Sequence, residues 1–69
     1  MGMHIKSITG SVVIEPRGEV CKVWIFRDGF IVNDGLLSID DATISETISS
    51  MTADEVITHF DSMLQSIKN

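Results

Sequence analysis

"VCKVWIFRDGFIVNDGLL", residues 20–37, decides how this chain folds. From Val20 to Arg27 the side chains alternate: Cys21, Val23 and Ile25 point one way, Lys22, Trp24 and Phe26 the other. Both sides are largely apolar, so the segment reads as a central strand. Asp28-Gly29 then joins it to "FIVN" (30–33), a strong hairpin signal. A two-residue turn there sets Phe26 opposite Ile31 and Ile25 opposite Val32. The second pair, Asp34-Gly35, is expected to turn the chain again, either back into "LLSI" (36–39) or off the sheet. Glycine supplies positive φ at such places and aspartate tolerates them. A calcium loop is the competing reading, and it needs early oxygen ligands, a Gly at the sixth position and a Glu at the twelfth. With Gly35 as the sixth residue, the first would be Phe30 and the third Val32, so the register fails.

Working outward, "IKSITGSVVIE" (5–15) is β-branched, with Ile8, Val12 and Ile14 on one parity and Ile5 on the other. That phase change predicts one strand bent or bulged near Gly10. "PRGE" (16–19) reads as a turn. Downstream, Asp40 and Asp41 suit a helix start, and Ile44, Ile48 and Met51 recur at helical spacing. The Thr-, Ser- and Ile-rich stretch 42–49 has poor helix propensity, which leaves a strand open there. "TADE" (52–55) is a capping box, and Val56, Ile57, Phe60, Met63, Leu64 and Ile67 form one apolar helical stripe. Lys68 falls at the negative end of that helix. The expected architecture is α+β: a small antiparallel β-meander of about three strands with one or two C-terminal helices packed on one face. Residues 1–69 form a single domain in the order β-β-β-α-α.

Sixty-nine residues with 43% apolar content allow a folded core, near the lower size limit for a self-sufficient domain. Domains this small often gain stability by dimerising or docking on a partner. Cys21 is the one cysteine, which removes disulfides and cysteine-rich zinc clusters and suits a reducing, cytoplasmic setting. No apolar run reaches membrane-spanning length, and "MGMHIK" lacks a signal-peptide core. Lys6 stands where a myristoylation motif beginning at Gly2 wants Ser or Thr.

Charge is unevenly distributed. Residues 1–27 hold four bases against two acids, whereas residues 28–67 hold eight acids and no Lys or Arg. Those acids are Asp28, Asp34, Asp40, Asp41, Glu46, Asp54, Glu55 and Asp61. This balance argues against direct nucleic-acid binding, which is driven by Lys and Arg. It serves solubility, or it offers an acidic face to a basic partner.

Catalytic chemistry finds few residues. His59 and Glu55 stand one helical turn apart with no third ligand in sequence reach. Cys21 lies in a strand among apolar neighbours, where cysteine behaves as a small hydrophobe. No nucleophile elbow or phosphate loop is present, so neither an enzyme nor a cofactor is expected. A small metal- or thiol-dependent enzyme using His59, Glu55 or Cys21 is the minor alternative. Trp24, Phe26 and Phe30 cluster around the hairpin, either as core or as binding anchors. If Cys21, Val23 and Ile25 face the helices, Trp24 and Phe26 lie on an open face, which would mark an interface.

The stretch "VWIFRDGFIVNDG" resembles the SEP domain, a module of cofactors of the AAA ATPase valosin-containing protein. Trp24, Gly29, Phe30, Val32, Asp34, Gly35 and Leu37 match that family's signature in order. Asn33 replaces its usual Asp and Ser38 its Arg, and the match covers about 13 of 69 residues. The resemblance implies a non-catalytic adaptor that binds an AAA ATPase, with trimerisation or a cysteine protease as further contacts.

Together these features predict a small acidic protein–protein interaction module. One form is a homodimer through the open sheet face. Another is an inhibitor mimicking nucleic-acid phosphate, as small acidic proteins of phages and mobile elements do. The candidate partner-binding residues are Trp24, Phe26, Phe30, Asp34, Asp40, Asp41, Glu46, Asp54, Glu55 and Asp61.

Overall fold

Alternation in the central strand carries straight into the architecture. The computed structural model describes residues 2–69 as six elements: β1 (Met3–Ser7), β2 (Gly10–Arg17), β3 (Val20–Arg27), β4 (Phe30–Leu37), α1 (Asp41–Ile48) and α2 (Ala53–Lys68). The strands form one antiparallel meander in the order β1-β2-β3-β4, and the helices cover one of its faces. This is the expected α+β fold with one more strand. Residues 42–49, open between helix and strand, lie largely in α1.

The extra strand comes from the segment read as a single bent strand. Ile8 and Thr9 form a two-residue turn, so Ile5 pairs with Val12 and Met3 with Ile14 across a hairpin. Ile5, Val12 and Ile14 thereby share the helix-facing side, and Ile8 sits at the tip, fully exposed. The parity break marked a reversal of the chain rather than a bulge. Likewise Pro16 and Arg17 belong to β2, paired with Cys21 and Val20, and the turn is Gly18-Glu19.

The Asp28-Gly29 hairpin forms, with positive φ at both residues and Phe26 opposite Ile31. Ile25, however, meets Asn33 rather than Val32, because a bulge inserts Val32 as an extra residue. Asp34-Gly35 is not a turn. Both lie within β4, Asp34 opposite Trp24 and Gly35 opposite Val23. The glycine answers to packing: a Cβ there would lie 2.9 Å from Leu64 Cδ2.

On the covered face, Val12, Ile14, Cys21, Val23, Ile25 and Leu37 meet Ile44, Val56, Ile57, Phe60 and Leu64. Each fully buried side chain of this size contributes about 1.5–3 kcal/mol. Asp40 caps α1 by accepting from Thr43 N–H at 2.9 Å. Thr52 and Glu55 close the capping box of α2 with reciprocal bonds of 3.2 and 2.8 Å. The apolar stripe of α2 ends sooner than its spacing suggests. Ile67 is 58% exposed, for β4 is the outermost strand and no element beyond it covers the last turn.

The chain exposes 4339 Å². A folded monomer of 7.6 kDa exposes about 4,300 Å² by the usual size scaling. The helix-covered core itself is buried within the chain, each of its side chains being at most 4% exposed.

Candidate functional site

Among the described residues, no element lies on the other face of the sheet. Pairing arranges its side chains in rows: His4, Val13, Trp24 and Asp34 form the middle row, Lys6, Ser11, Phe26 and Ile31 the next, and Glu15, Lys22 and Leu36 the third. Val13, Trp24 and Phe26 are half-buried by their neighbours, while Ile31, Val32 and Leu36 are each more than half exposed. Phe30, where β4 leaves the hairpin, is 73% exposed. Ile8 stands at the same end of the sheet, since the 8–9 and 28–29 turns lie side by side.

Trp24 is held in place rather than free. The Lys22 ammonium lies 5.7 Å from the centroid of its ring, and Lys22 Nζ also donates to Asp34 Oδ2 at 3.4 Å. The middle of this face is thus a small apolar patch of Val13, Trp24 and Phe26 set among the charged or polar His4, Lys6, Glu15, Lys22 and Asp34.

Cys21, Val23 and Ile25 do face the helices, so Trp24 and Phe26 do lie on the open side. Ile31, Val32 and Leu36 were absent from the sequence-based site. The two-residue turn already implied Ile31 beside Phe26, but the bulge that exposes Val32 as well has no signal in the sequence.

The acidic candidates do not share one surface. Asp34 lies on the open face, Asp28 at the hairpin tip, and Asp40, Asp41, Glu46, Asp54, Glu55 and Asp61 on or beside the helices. Several have intrachain work. Asp54 Oδ1 accepts from Ser7 Oγ and Thr9 Oγ1, both at 2.6 Å, and these bonds lower its pKa. Arg27 Nη1 completes that cluster by donating to the Thr9 carbonyl at 2.8 Å. Asp61 accepts from Asn33 Nδ2 at 2.7 Å, and Lys68 Nζ donates to Asn33 Oδ1. Asp40 is lowered by its bond from the Thr43 amide. Asp41 and Glu46 are exposed on α1.

Cys21 is fully covered, and burial pushes its thiol up, so the thiolate needed of a nucleophile is disfavoured. An open depression along α2 is lined by Met51, Asp54, Glu55, Thr58, His59 and Ser62. Within it Asp54 and Glu55 are committed to the hairpin and the cap, and His59 stands edge-on to Phe60 at 5.6 Å. Among the described residues no three His, Cys, Asp or Glu side chains gather where they could hold a metal. No helix among them is long and apolar enough to cross a membrane.

No family model matches the chain, and no curated protein or solved structure matches it either.

Proposed function

We propose that this chain is a non-catalytic protein–protein interaction module that docks through the open face of its sheet. One observation carries the reading: Trp24, Phe26, Ile31 and Leu36 lie together on a face that no element covers, although the core behind is complete. Exposed apolar side chains gathered on one face and rimmed by polar ones are a common mark of interaction sites. Trp24 and Phe26 are anchors of the kind that dominate interface energetics, and Lys22 and Asp34 supply polar contacts beside them. The test is partner capture by purified chain carrying Trp24→Ala with Phe26→Ala, beside a second variant carrying Asp41→Asn with Glu46→Gln. Loss of the partner in the first variant only is the expected result. Loss in the second only would overturn the reading.

An acidic docking surface is the second reading, favoured by the exposed Asp41 and Glu46 and by the absence of Lys or Arg from residues 28–67. It requires binding that weakens steeply with salt, since exposed charges are screened within about 8–10 Å at physiological ionic strength. The adaptor role implied by the SEP resemblance would use the β3–β4 hairpin, whose Phe30 is open to solvent. Capture of an AAA ATPase that Phe30→Ala abolishes would support it.

A further inference from the structure

We infer that the outer edge of β4 takes an extended segment of another protein as a fifth strand, apolar on both sides and with a base opposite Asp34. The inference goes beyond the open face, since backbone pairing is its core. β4 is an end strand of the sheet, and among the described residues nothing pairs with its outer side. A row of unpaired N–H and C=O groups is complementary to another extended backbone. Sheet edges are commonly blunted by short length, Lys, Pro or a bulge. β1, the other edge, is five residues long, carries Lys6 and holds none of the strongly exposed large apolar residues. β4 is eight residues long and has no Lys, Arg or Pro. Its one guard is the bulge at Val32, and beyond it the register from Ile25↔Asn33 to Cys21↔Leu37 is unbroken. Residues 33–37 therefore present a regular edge as long as β1, which pairs with β2 over five residues.

Side-chain placement names the occupant. Of the six large apolar residues that stand exposed among the described residues, five lie on β4 or against it: Phe30, Ile31, Val32, Leu36 and Ile67. They flank the edge from both sides of the sheet. Leu36 is on the open face, whereas Ile67 Cδ1 lies 3.8 Å from where a Gly35 Cβ would stand, on the helix face. A partner lying on the open face reaches only the first set. An added strand alternates its side chains and reaches both. Charge supplies the rest. Asp34 is the one charged residue of β4, and its side chain stays half exposed beside Lys22. A base opposite it on the added strand forms a cross-strand pair of opposite sign, which is stabilising. A second copy fits less well. Its β4 brings another Asp34 and no base, while its β1, with Lys6, would extend the sheet into an open chain of copies.

The experiment is amide hydrogen exchange and chemical-shift mapping on the full chain, titrated to millimolar with the capped peptide Ser-Val-Val-Ile-Lys-Thr-Ser. Antiparallel pairing sets its Ile beside Ile67 and its Lys opposite Asp34. Saturable binding is expected, with slowed exchange within residues 33–37 and shifts at Ile67. Pro in place of the peptide's Ile should abolish binding, and Glu in place of its Lys should weaken it at least about twofold. Ile67→Ser, which alters one exposed side chain of the chain itself, should weaken it at least about threefold. Trp24→Ala with Phe26→Ala should leave the peptide bound, so the edge and the open face fail separately. No binding at millimolar peptide overturns the inference, as does equal binding of the Pro peptide. Shifts centred on Val13, Trp24 and Phe26 would move the peptide to the open face and overturn it too. Protection of residues 33–37 that grows with chain concentration, without peptide, would give the edge to a second copy instead.

Discussion

Leu64 lies over Gly35 so closely that a Cβ on the glycine would stand 2.9 Å from Leu64 Cδ2. Leu64 is fully buried, so shifting its methyl disturbs the packed core around it. Gly35→Ala is therefore expected to destabilise the fold by about 1–3 kcal/mol, the usual cost of overpacking. Urea unfolding reads it directly. A Gly35→Ala chain as stable as the parent would mean that α2 does not rest on β4 at this point.

Gly10→Ala should be worse. Gly10 has φ +155°, outside the range ordinary side chains adopt, and its Cβ would fall on the Phe26 carbonyl oxygen and against Arg27. Backbone cannot move aside as a leucine methyl can. The expected order of stability is parent, Gly35→Ala, Gly10→Ala, measured as urea midpoints; the reverse order of the two variants would contradict the β1–β2 hairpin geometry.

These two glycines also show where the sequence was legible and where it was not. Strand β3, the Asp28-Gly29 turn and the Thr52–Glu55 capping box are written in neighbouring residues, so local pattern revealed them. Asp34-Gly35 has the same local chemistry as Asp28-Gly29 yet runs through a strand, because its glycine answers to a leucine 29 positions later. The Ile8-Thr9 turn lacks the usual turn residues and is tied down by Asp54, a residue of α2. Trp24 and Phe26 were legible as open-face candidates from strand parity. The dispersal of the acidic residues was not, since it depends on which of them cap helices or bind loops.

Asp54 makes stability depend on pH in a defined direction. Hydrogen bonds from Ser7 and Thr9 lower its folded pKa below the ordinary 3.8, so the folded state binds its proton less readily than the unfolded chain. Its contribution is fully present above the ordinary value and is lost as pH falls through the folded one. Asp40, lowered by the Thr43 amide, acts in the same sense. Urea midpoints should accordingly fall on acidification below the ordinary aspartate range, and Asp54→Asn should show a smaller fall. An unchanged slope in Asp54→Asn would contradict the Ser7–Thr9–Asp54 tie.

Cys21 should be inert while the chain is folded. It is fully covered in β3, and burial raises its thiol pKa, so the reactive thiolate is scarce at neutral pH. A thiol-labelling reagent should leave the folded chain unmodified and label it promptly in concentrated urea. Rapid labelling without urea would place Cys21 at the surface and reopen thiol chemistry.

Trp24 is the chain's single tryptophan, so its fluorescence reports on the open face alone. The decisive measurement is acrylamide quenching of Trp24 across a dilution series and in any complex the chain forms. Quenching should fall as the chain associates, and a chain carrying Phe26→Ala should keep the accessibility of the dilute state. Equal quenching at every concentration and in every complex would show that the open face is never covered, and would contradict its role as a docking surface.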